Sequence, residues 1–165
     1  MMGTRQRQQA ITGYRRILWP TDFSPLAKAA LPHALRLARN RGAELVVIHV
    51  LPTPTIYGFP EVVGAAWDEL ERENHALGKR KLHRVTEQLK RKAPKLRIHG
   101  ALAQGVPFDQ ILGAAKRLRC DLIVLATHGR TGLKHVLLGS VAENVVRRAP
   151  CPVLTVRPRG FGVRA

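Results

Sequence analysis

The sequence contains few cysteines and no long apolar run. Cys120 and Cys151 are too few for a disulfide framework and lack metal-site spacing, so we expect two reduced thiols that are buried or half-buried. No segment approaches the roughly 20 apolar residues that span a bilayer, and residues 1–16 contain no hydrophobic stretch typical of a secretory signal. We therefore expect a cytoplasmic protein without a membrane partner.

Acidic residues are also scarce, with 11 against 28 lysine and arginine residues, which gives a net charge of +17. Such a charge attracts phosphate-bearing partners of any size without distinguishing among them. Aromatic residues make up only 5% of a chain that is 45% apolar, which indicates an aliphatic core. Neither a G-x-x-x-x-G-K-[ST] phosphate loop nor a G-x-G-x-x-G fingerprint occurs, so a P-loop ATPase and a dinucleotide oxidoreductase are not supported.

What the chain does contain is a regular alternation of short β-branched runs with longer segments of helical period. This pattern predicts a single-domain α/β fold with a parallel sheet. The second and fourth runs are nearly continuous in apolar character, as in central strands, whereas the third alternates like an edge strand. The five runs are Ile17–Trp19, Leu45–Val50, Leu96–Ile98, Leu122–Leu125 and Val153–Val156. We assign residues 16–157 to the domain, 1–15 to a basic N-terminal arm and 158–165 to a C-terminal tail.

The helices are predicted from their start signals and apolar spacing. Ser24 and Pro25 open the first helix, which ends at residues 40–42 and in which Pro32 should cause a kink or a delayed start. A long amphipathic helix follows between residues 63 and 94, with Gly78 as a possible break. Pro107 opens another helix.

The most informative stretch runs from Leu122 to Glu143. It leaves a buried strand, crosses a loop that contains Gly129, and reaches Gly139 and Ser140 where a helical pattern begins. Glycines let backbone amides approach a ligand closely, and a helix start offers unpaired N–H groups at the positive end of its dipole. These features suit a polyphosphate. An alternative is a capping box, in which Ser140 and Glu143 satisfy each other's backbone amides.

Two further segments fall at predicted strand ends. Residues 20–24 follow the first strand, where Asp22 could orient a base or ribose at the switch point of an open sheet; the alternative is a turn with a helix cap. His49 and Val50 end the second strand, where backbone groups could pair with a heterocycle; the alternative for His49 is a core histidine.

Together these motifs resemble those of the universal stress protein family. The matching segments are Pro20-Thr-Asp-Phe-Ser24, the His-Val pair at 49–50, Gly105-Val-Pro107, and Thr-His-Gly129 separated by nine residues from Gly139-Ser140. The match covers nearly all of residues 16–156. The resemblance implies five parallel strands in the order 3-2-1-4-5 with helices on both faces, and a site for ATP, ADP or AMP with Mg²⁺ or Mn²⁺. It also implies a homodimer through the last strand, Val153–Val156.

The resemblance further implies roles for individual residues. Pro20, Thr21 and Asp22 would line the adenosine, Val50 would offer its backbone to adenine, and Gly129, Gly139, Ser140 and Val141 would donate amides to the phosphates. The family pattern is Gly-x2-Gly-x9-Gly-Ser/Thr, whereas this chain has Ala126 at the first position. A methyl group in a tight site costs about 1–3 kcal/mol. Ala142 also lacks a hydroxyl that many relatives carry. No metal-binding residue set is predicted.

Three functions remain open at this stage. The first is a stress-response sensor or regulator that binds an adenine nucleotide and hydrolyses it slowly at most. The second is a basic module that binds nucleic acid or another polyanion, for which the basic segment 72–97 is either a phosphate-backbone contact or only a solvated surface. The third is an ATP-hydrolysing enzyme in which Asp22 or His128 assists water.

Overall fold

The computed structural model describes residues 13–53, 64–129 and 138–158. Within these ranges strands and helices alternate as the sequence predicts. The elements are β1 (Arg16–Pro20), α1 (Pro25–Lys28), α2 (Leu31–Arg41), β2 (Glu44–Leu51), α3 (Gly64–Lys92), β3 (Ile98–Gln104), α4 (Pro107–Arg117), β4 (Leu122–Ala126), α5 (Ser140–Arg148) and β5 (Val153–Val156). Most of the predicted arm and tail, residues 1–12 and 159–165, lies outside the described residues.

The strands form one parallel sheet in the order β3-β2-β1-β4-β5. This confirms the expected α/β fold and strand order. β1 lies at the centre, where Ile17 pairs with Leu45 of β2 on one side and Leu122 of β4 on the other. β3 is an edge strand with mostly exposed or half-buried residues, as its alternating sequence predicts.

Two helical layers cover the sheet. On one face Trp19 shares a buried cluster with Ala34 and Ala38 of α2 and with Ala30, the N-cap of that helix, because small residues let the helix approach a strand that carries a bulky indole. On the other face, aliphatic residues of the sheet pack with α4 and α5. No helix within the described residues is long and apolar enough to cross a membrane.

Both cysteines are sheltered, as expected. Cys120 is buried and Cys151 is half-buried. Burial raises the pKa of the Cys120 thiol to about 11, so this thiol stays protonated at neutral pH.

The first helical region is divided in two. Ser24 caps α1 through a 3.1 Å hydrogen bond in which its side chain accepts from the N–H of Ala27, which confirms the predicted start. α1 ends at Lys28 and α2 begins at Leu31, next to Pro32. Of the two effects predicted for Pro32, the structure therefore shows the delayed start, as a break between α1 and α2.

The predicted bounds of the third strand are wrong. Leu96 is buried in a turn, where its N–H donates to the carbonyl of Ala93, and β3 begins only at Ile98. A break at Gly78 is also not observed, because α3 continues through it. A Cβ at Gly78 would lie 2.9 Å from a methyl carbon of Leu51, so this glycine makes room for the side chain of β2.

Candidate functional site

A cavity of about 310 Å³ opens at the carboxyl ends of β1, β2 and β4. Between β3 and β4 the chain crosses from the edge strand β3, past β2 and β1, to the far side of β1, which places the switch point of the fold between β1 and β4. Every residue that the sequence singled out for nucleotide binding lines this cavity: Pro20, Thr21, Asp22, Val50, Ala126, Gly129, Gly139, Ser140 and Val141.

The strands end at different heights, and this exposes backbone groups of β2. β1 ends at Pro20, which pairs with Ile48, whereas β2 continues to Leu51. The N–H of Thr21 donates to the carbonyl of Ile48, and the N–H of Gly105 donates to that of Leu51 on the opposite side. Because successive residues of a strand direct their backbone groups to alternate sides, Val50 directs its N–H and carbonyl toward β1, beyond the point where that strand ends.

The turn after β1 is held in a fixed conformation. The Thr21 hydroxyl accepts from the N–H of Phe23 at 3.0 Å, and the Asp22 carboxylate accepts from the N–H of Ser24 at 2.9 Å. Phe23 has a φ of 65°, which is unfavourable for a residue with a side chain. Its ring lies 4.2 Å from that of buried His49, whose Nδ1 donates to the carbonyl of Thr21. His49 is thus a core histidine that also borders the cavity.

Gly129 allows the Asp22 carboxylate to lie against the loop after β4. A Cβ at position 129 would be 2.7 Å from Oδ2 of Asp22, closer than side-chain carbons approach oxygen. Two segments that are far apart in the sequence therefore meet at this contact. Gly129 therefore leaves the space that the Asp22 carboxylate occupies.

Gly139 joins α5 to the end of β4. Its N–H donates to the carbonyl of Thr127 at 2.8 Å, and a Cβ on it would lie 3.1 Å from the same oxygen. The Gly139 amide thus has a different partner from the phosphate that the resemblance implied. The N–H groups of Ser140 and Val141 lie in the first helical turn, where no carbonyl within the helix is available to them.

The capping-box alternative is wrong. Gly139 is the N-cap of α5, Ser140 is its first residue, and no side chain caps the helix. The Glu143 N–H donates to the carbonyl of Gly139, and its carboxylate lies 3.6 Å from the guanidinium of Arg147, one turn further along. The acidic group therefore does not border the cavity.

Ala126 and Ala142 occupy the two positions where the chain departs from the family pattern. Ala126 is the last residue of β4, lies 9% exposed in the cluster around Trp19, and also borders the cavity. Ala142 is buried on the other face and lines the cavity as well. The cavity has a volume of about 310 Å³ with Ala126 in its wall, so this residue does not fill it.

Sequence reasoning did not assign the apolar wall of the site. Pro107 and Ile111 of α4 line the cavity together with Ile48. The sequence could have indicated this wall, because α4 begins directly after the carboxyl end of β3 and therefore starts at the edge of the sheet where the cavity lies. Among the described residues, no group of three His, Cys, Asp or Glu side chains could hold a metal ion.

The chain is similar to known proteins over most of its length. The model of the universal stress protein family matches residues 13–157. Universal stress protein MJ0531 of Methanocaldococcus jannaschii is 35% identical over 147 residues, which cover 87% of this chain and 82% of that protein. The structure of universal stress protein UspA from Lactobacillus plantarum aligns with a TM-score of 0.77 at 29% identity and covers 88% of this chain and 99% of that one. The structure of a universal stress protein in complex with cAMP aligns with a TM-score of 0.56 at 25% identity. The alignment covers 88% of this chain and 98% of that one.

The contact between Gly129 and Asp22 predicts an energetic coupling. We expect Gly129→Ala to lower the free energy of unfolding by about 1–3 kcal/mol, because the added methyl group displaces the carboxylate. In an Asp22→Ala background the same change should cost less than about 1 kcal/mol, since the clashing oxygen is gone. Urea denaturation of the four proteins measures this coupling.

Gly113→Ala is the matched control for this cycle. It lies inside α4, where replacing glycine with alanine should stabilise the protein by about 0.5–1 kcal/mol. If Gly129→Ala lowered the free energy of unfolding equally in the wild-type and Asp22→Ala backgrounds, the contact between Gly129 and Asp22 would be contradicted.

Proposed function

Because this chain belongs to the universal stress protein family, we propose that it is a stress-response sensor or regulator that binds an adenine nucleotide at the carboxyl edge of its sheet. The observation that carries the proposal is the convergence on one cavity of the Val50 backbone, the Asp22 turn and the first turn of α5. Val50 and α5 lie on opposite sides of β1. With two strand spacings between β2 and β4, the site extends about 10 Å across the strands.

One end of the cavity suits a flat heterocycle. Val50 offers a donor and an acceptor from its backbone, and Ile48, Pro107 and Ile111 supply apolar surface nearby. An adenine ring needs both kinds of contact, because its faces are apolar and its edge carries hydrogen-bonding nitrogens. Asp22 lies between this end and the loop after β4, where its carboxylate can accept from a ribose hydroxyl.

The other end suits phosphate. The N–H groups of Ser140 and Val141 and the Ser140 hydroxyl border the cavity at the positive end of a nine-residue helix. A divalent ion, Mg²⁺ or Mn²⁺, would enter with ATP and offset the charge of the phosphates. The described residues contain no metal-binding cluster of their own, so that ion would be held mainly by the nucleotide.

Similarity to a solved complex supports the class of ligand. The universal stress protein with cAMP shares 25% identity and most of its length with this chain. The cavity lining also includes Asp22, His49 and His128, which are hydrogen-bonded within the protein to the N–H of Ser24, the carbonyl of Thr21 and the hydroxyl of Thr127. Because these groups hold the walls of the cavity together, the site supports binding more directly than hydrolysis. We therefore assign the site to ATP, ADP or AMP as a regulatory ligand.

Two substitutions at Ser140 test the phosphate contacts separately. Ser140→Ala removes the hydroxyl, and Ser140→Pro removes both the hydroxyl and the N–H. Proline fits there because Ser140 is the first helical residue and the preceding Gly139 has an extended ψ of 154°. Because a hydrogen bond to a charged group contributes about 1.5–3 kcal/mol, we expect Ser140→Pro to weaken ATP binding about 10- to 100-fold beyond Ser140→Ala.

Isothermal titration with ATP and Mg²⁺ measures these affinities, and urea denaturation checks that the fold is retained. α1 and α4 already begin with proline, so the chain tolerates this residue at a helix start. If Ser140→Pro bound ATP as tightly as the wild type does, the phosphates would have to bind elsewhere. No saturable binding by the wild type would overturn the nucleotide proposal itself.

The methyl group of Ala126 should weaken nucleotide binding. We expect Ala126→Gly to tighten ATP binding about fivefold, because removal of a methyl group from the cavity wall relieves about 1 kcal/mol of crowding. The same titration measures the effect. Ala103→Gly on edge strand β3 is the control for the loss of a methyl group from a strand and should leave ATP affinity unchanged. Unchanged affinity in Ala126→Gly would show that the methyl group does not crowd the ligand.

We also propose that the protein is a homodimer through β5. β5 is the last strand of the sheet, and Leu154 and Thr155 are exposed on it. The carbonyls of Pro152 and Val156 accept from the N–H groups of Ile123 and Thr127, so the alternating backbone groups of Val153 and Thr155 point to the open edge. A strand that meets its twofold mate at this edge would pair those groups.

Thr155→Pro should convert the dimer to a monomer. Proline removes an outward N–H and leaves the ladder with β4 intact, so the fold should be retained. Light scattering coupled to size-exclusion chromatography measures the mass, with Thr155→Val as the control that keeps the N–H. A monomeric wild type, or a dimeric Thr155→Pro, would contradict pairing through this edge.

A further inference from the structure

The second half of α3 and the turn after it carry a concentrated positive charge. Residues 79–97 include nine lysine and arginine residues and one glutamate, a net of 9 − 1 = +8 out of +17 for the whole chain. The cations are Lys79, Arg80, Lys81, Arg84, Lys90, Arg91, Lys92, Lys95 and Arg97. All nine residues are exposed. The nucleotide proposed above makes no use of this surface.

The arginines form the outermost ridge of the helix. Gly78, Leu82 and Leu89 form the buried stripe of α3. At 100° per residue, Arg80, Arg84 and Arg91 lie on the opposite side, and we call these three residues the basic ridge. With a rise of 1.5 Å per residue, the ridge extends about 16 Å along the helix axis.

The charge of this surface is largely uncompensated. Its one acidic residue, Glu87, pairs with Lys90 at 2.8 Å. The other eight cations have no carboxylate oxygen within 4 Å among the residues that the structure describes. Like charges held on one rigid helix repel each other, and a polyanion would relieve that repulsion.

The neighbouring helix extends the basic surface. A guanidinium nitrogen of Arg39 on α2 donates to the carbonyl of Lys92 at 3.3 Å, which brings the ends of α2 and α3 together. Arg36 is exposed on the same helix, and residues 24–43 contain no acidic side chain. The surface is therefore two helices wide.

We propose that this surface binds double-stranded nucleic acid through its phosphate backbone, without reading the base sequence. A duplex carries about one negative charge per 1.7 Å of its axis, a density that a row of arginines on a rigid helix complements. Residues 79–97 contain no Phe, Tyr or Trp side chain for stacking on unpaired bases, which argues against single strands. The apolar side of this half of α3 is packed on the sheet, which argues against insertion into a membrane.

Two variants of equal net charge test the proposal. Arg84→Gln/Arg91→Gln removes two ridge charges, and Lys116→Gln/Arg117→Gln removes two exposed charges from α4 on the other face of the sheet. Both variants have a net charge of 17 − 2 = +15. Fluorescence anisotropy with a labelled mixed-sequence DNA duplex, from about 50 to about 200 mM salt, gives the affinity and its salt dependence.

We expect the wild type and the α4 variant to bind the duplex with the same salt slope. The ridge variant should bind about tenfold more weakly, and its slope of log affinity against log salt should be smaller by about 2, because each removed arginine leaves one phosphate without a cation. A second duplex of different sequence should give the same affinities. Saturation with ATP should leave duplex binding intact, because the nucleotide cavity lies at the carboxyl edge of the sheet.

Three results would overturn the proposal. Equal losses of affinity in both variants would show that only net charge matters. A ridge-dependent interaction with anionic phospholipid vesicles in the absence of duplex binding would assign the surface to a membrane. Tighter binding to a single strand of the same length than to the duplex would exclude the proposed duplex mode. None of these results bears on whether the Ser140 site binds ATP.

Discussion

The hydrogen bond from the Gly139 N–H to the Thr127 carbonyl fixes the geometry of the site. It attaches the first turn of α5 to the end of β4, and a side chain at position 139 would crowd the Thr127 carbonyl, because its Cβ would lie 3.1 Å from that oxygen. Ser140 and Val141 then present their amides at the mouth of the cavity. Gly129, also after β4, lies against the carboxylate of Asp22, so these two contacts place the turn after β1 and the start of α5 relative to each other.

The two sites that we propose for negatively charged partners rely on different physics. The cavity uses peptide dipoles at fixed positions, whose effect falls off within one helical turn and depends on exact placement. The basic ridge on α3 uses formal charges on long flexible side chains, whose field extends about 10 Å at moderate salt. The first arrangement would select a ligand by shape, and the second would bind a duplex by its charge density. Their separation on the molecule allows both to be occupied together.

The sequence predicted features that depend on local chemistry and missed those set by distant contacts. The Ser24 cap and the apolar β2 and β4 strands follow from neighbouring residues, and the structure confirms them. Leu96 resembles part of a strand because it is apolar, but it packs from a turn. Gly78 resembles a helix breaker, but it accommodates Leu51 from β2. The partner of the Gly139 amide likewise depends on Thr127, which the folded chain brings beside it.

The unequal lengths of β1 and β2 have a consequence for molecular evolution. A ring that pairs with the backbone of Val50 would continue the hydrogen-bonding pattern of the sheet, in the place of a residue that β1 does not have. Such recognition would use backbone groups that are accessible because β1 ends before β2. The amino acid at position 50 is therefore free to vary among apolar types. A single-residue insertion into β1 would be far more damaging than most substitutions along the pocket wall.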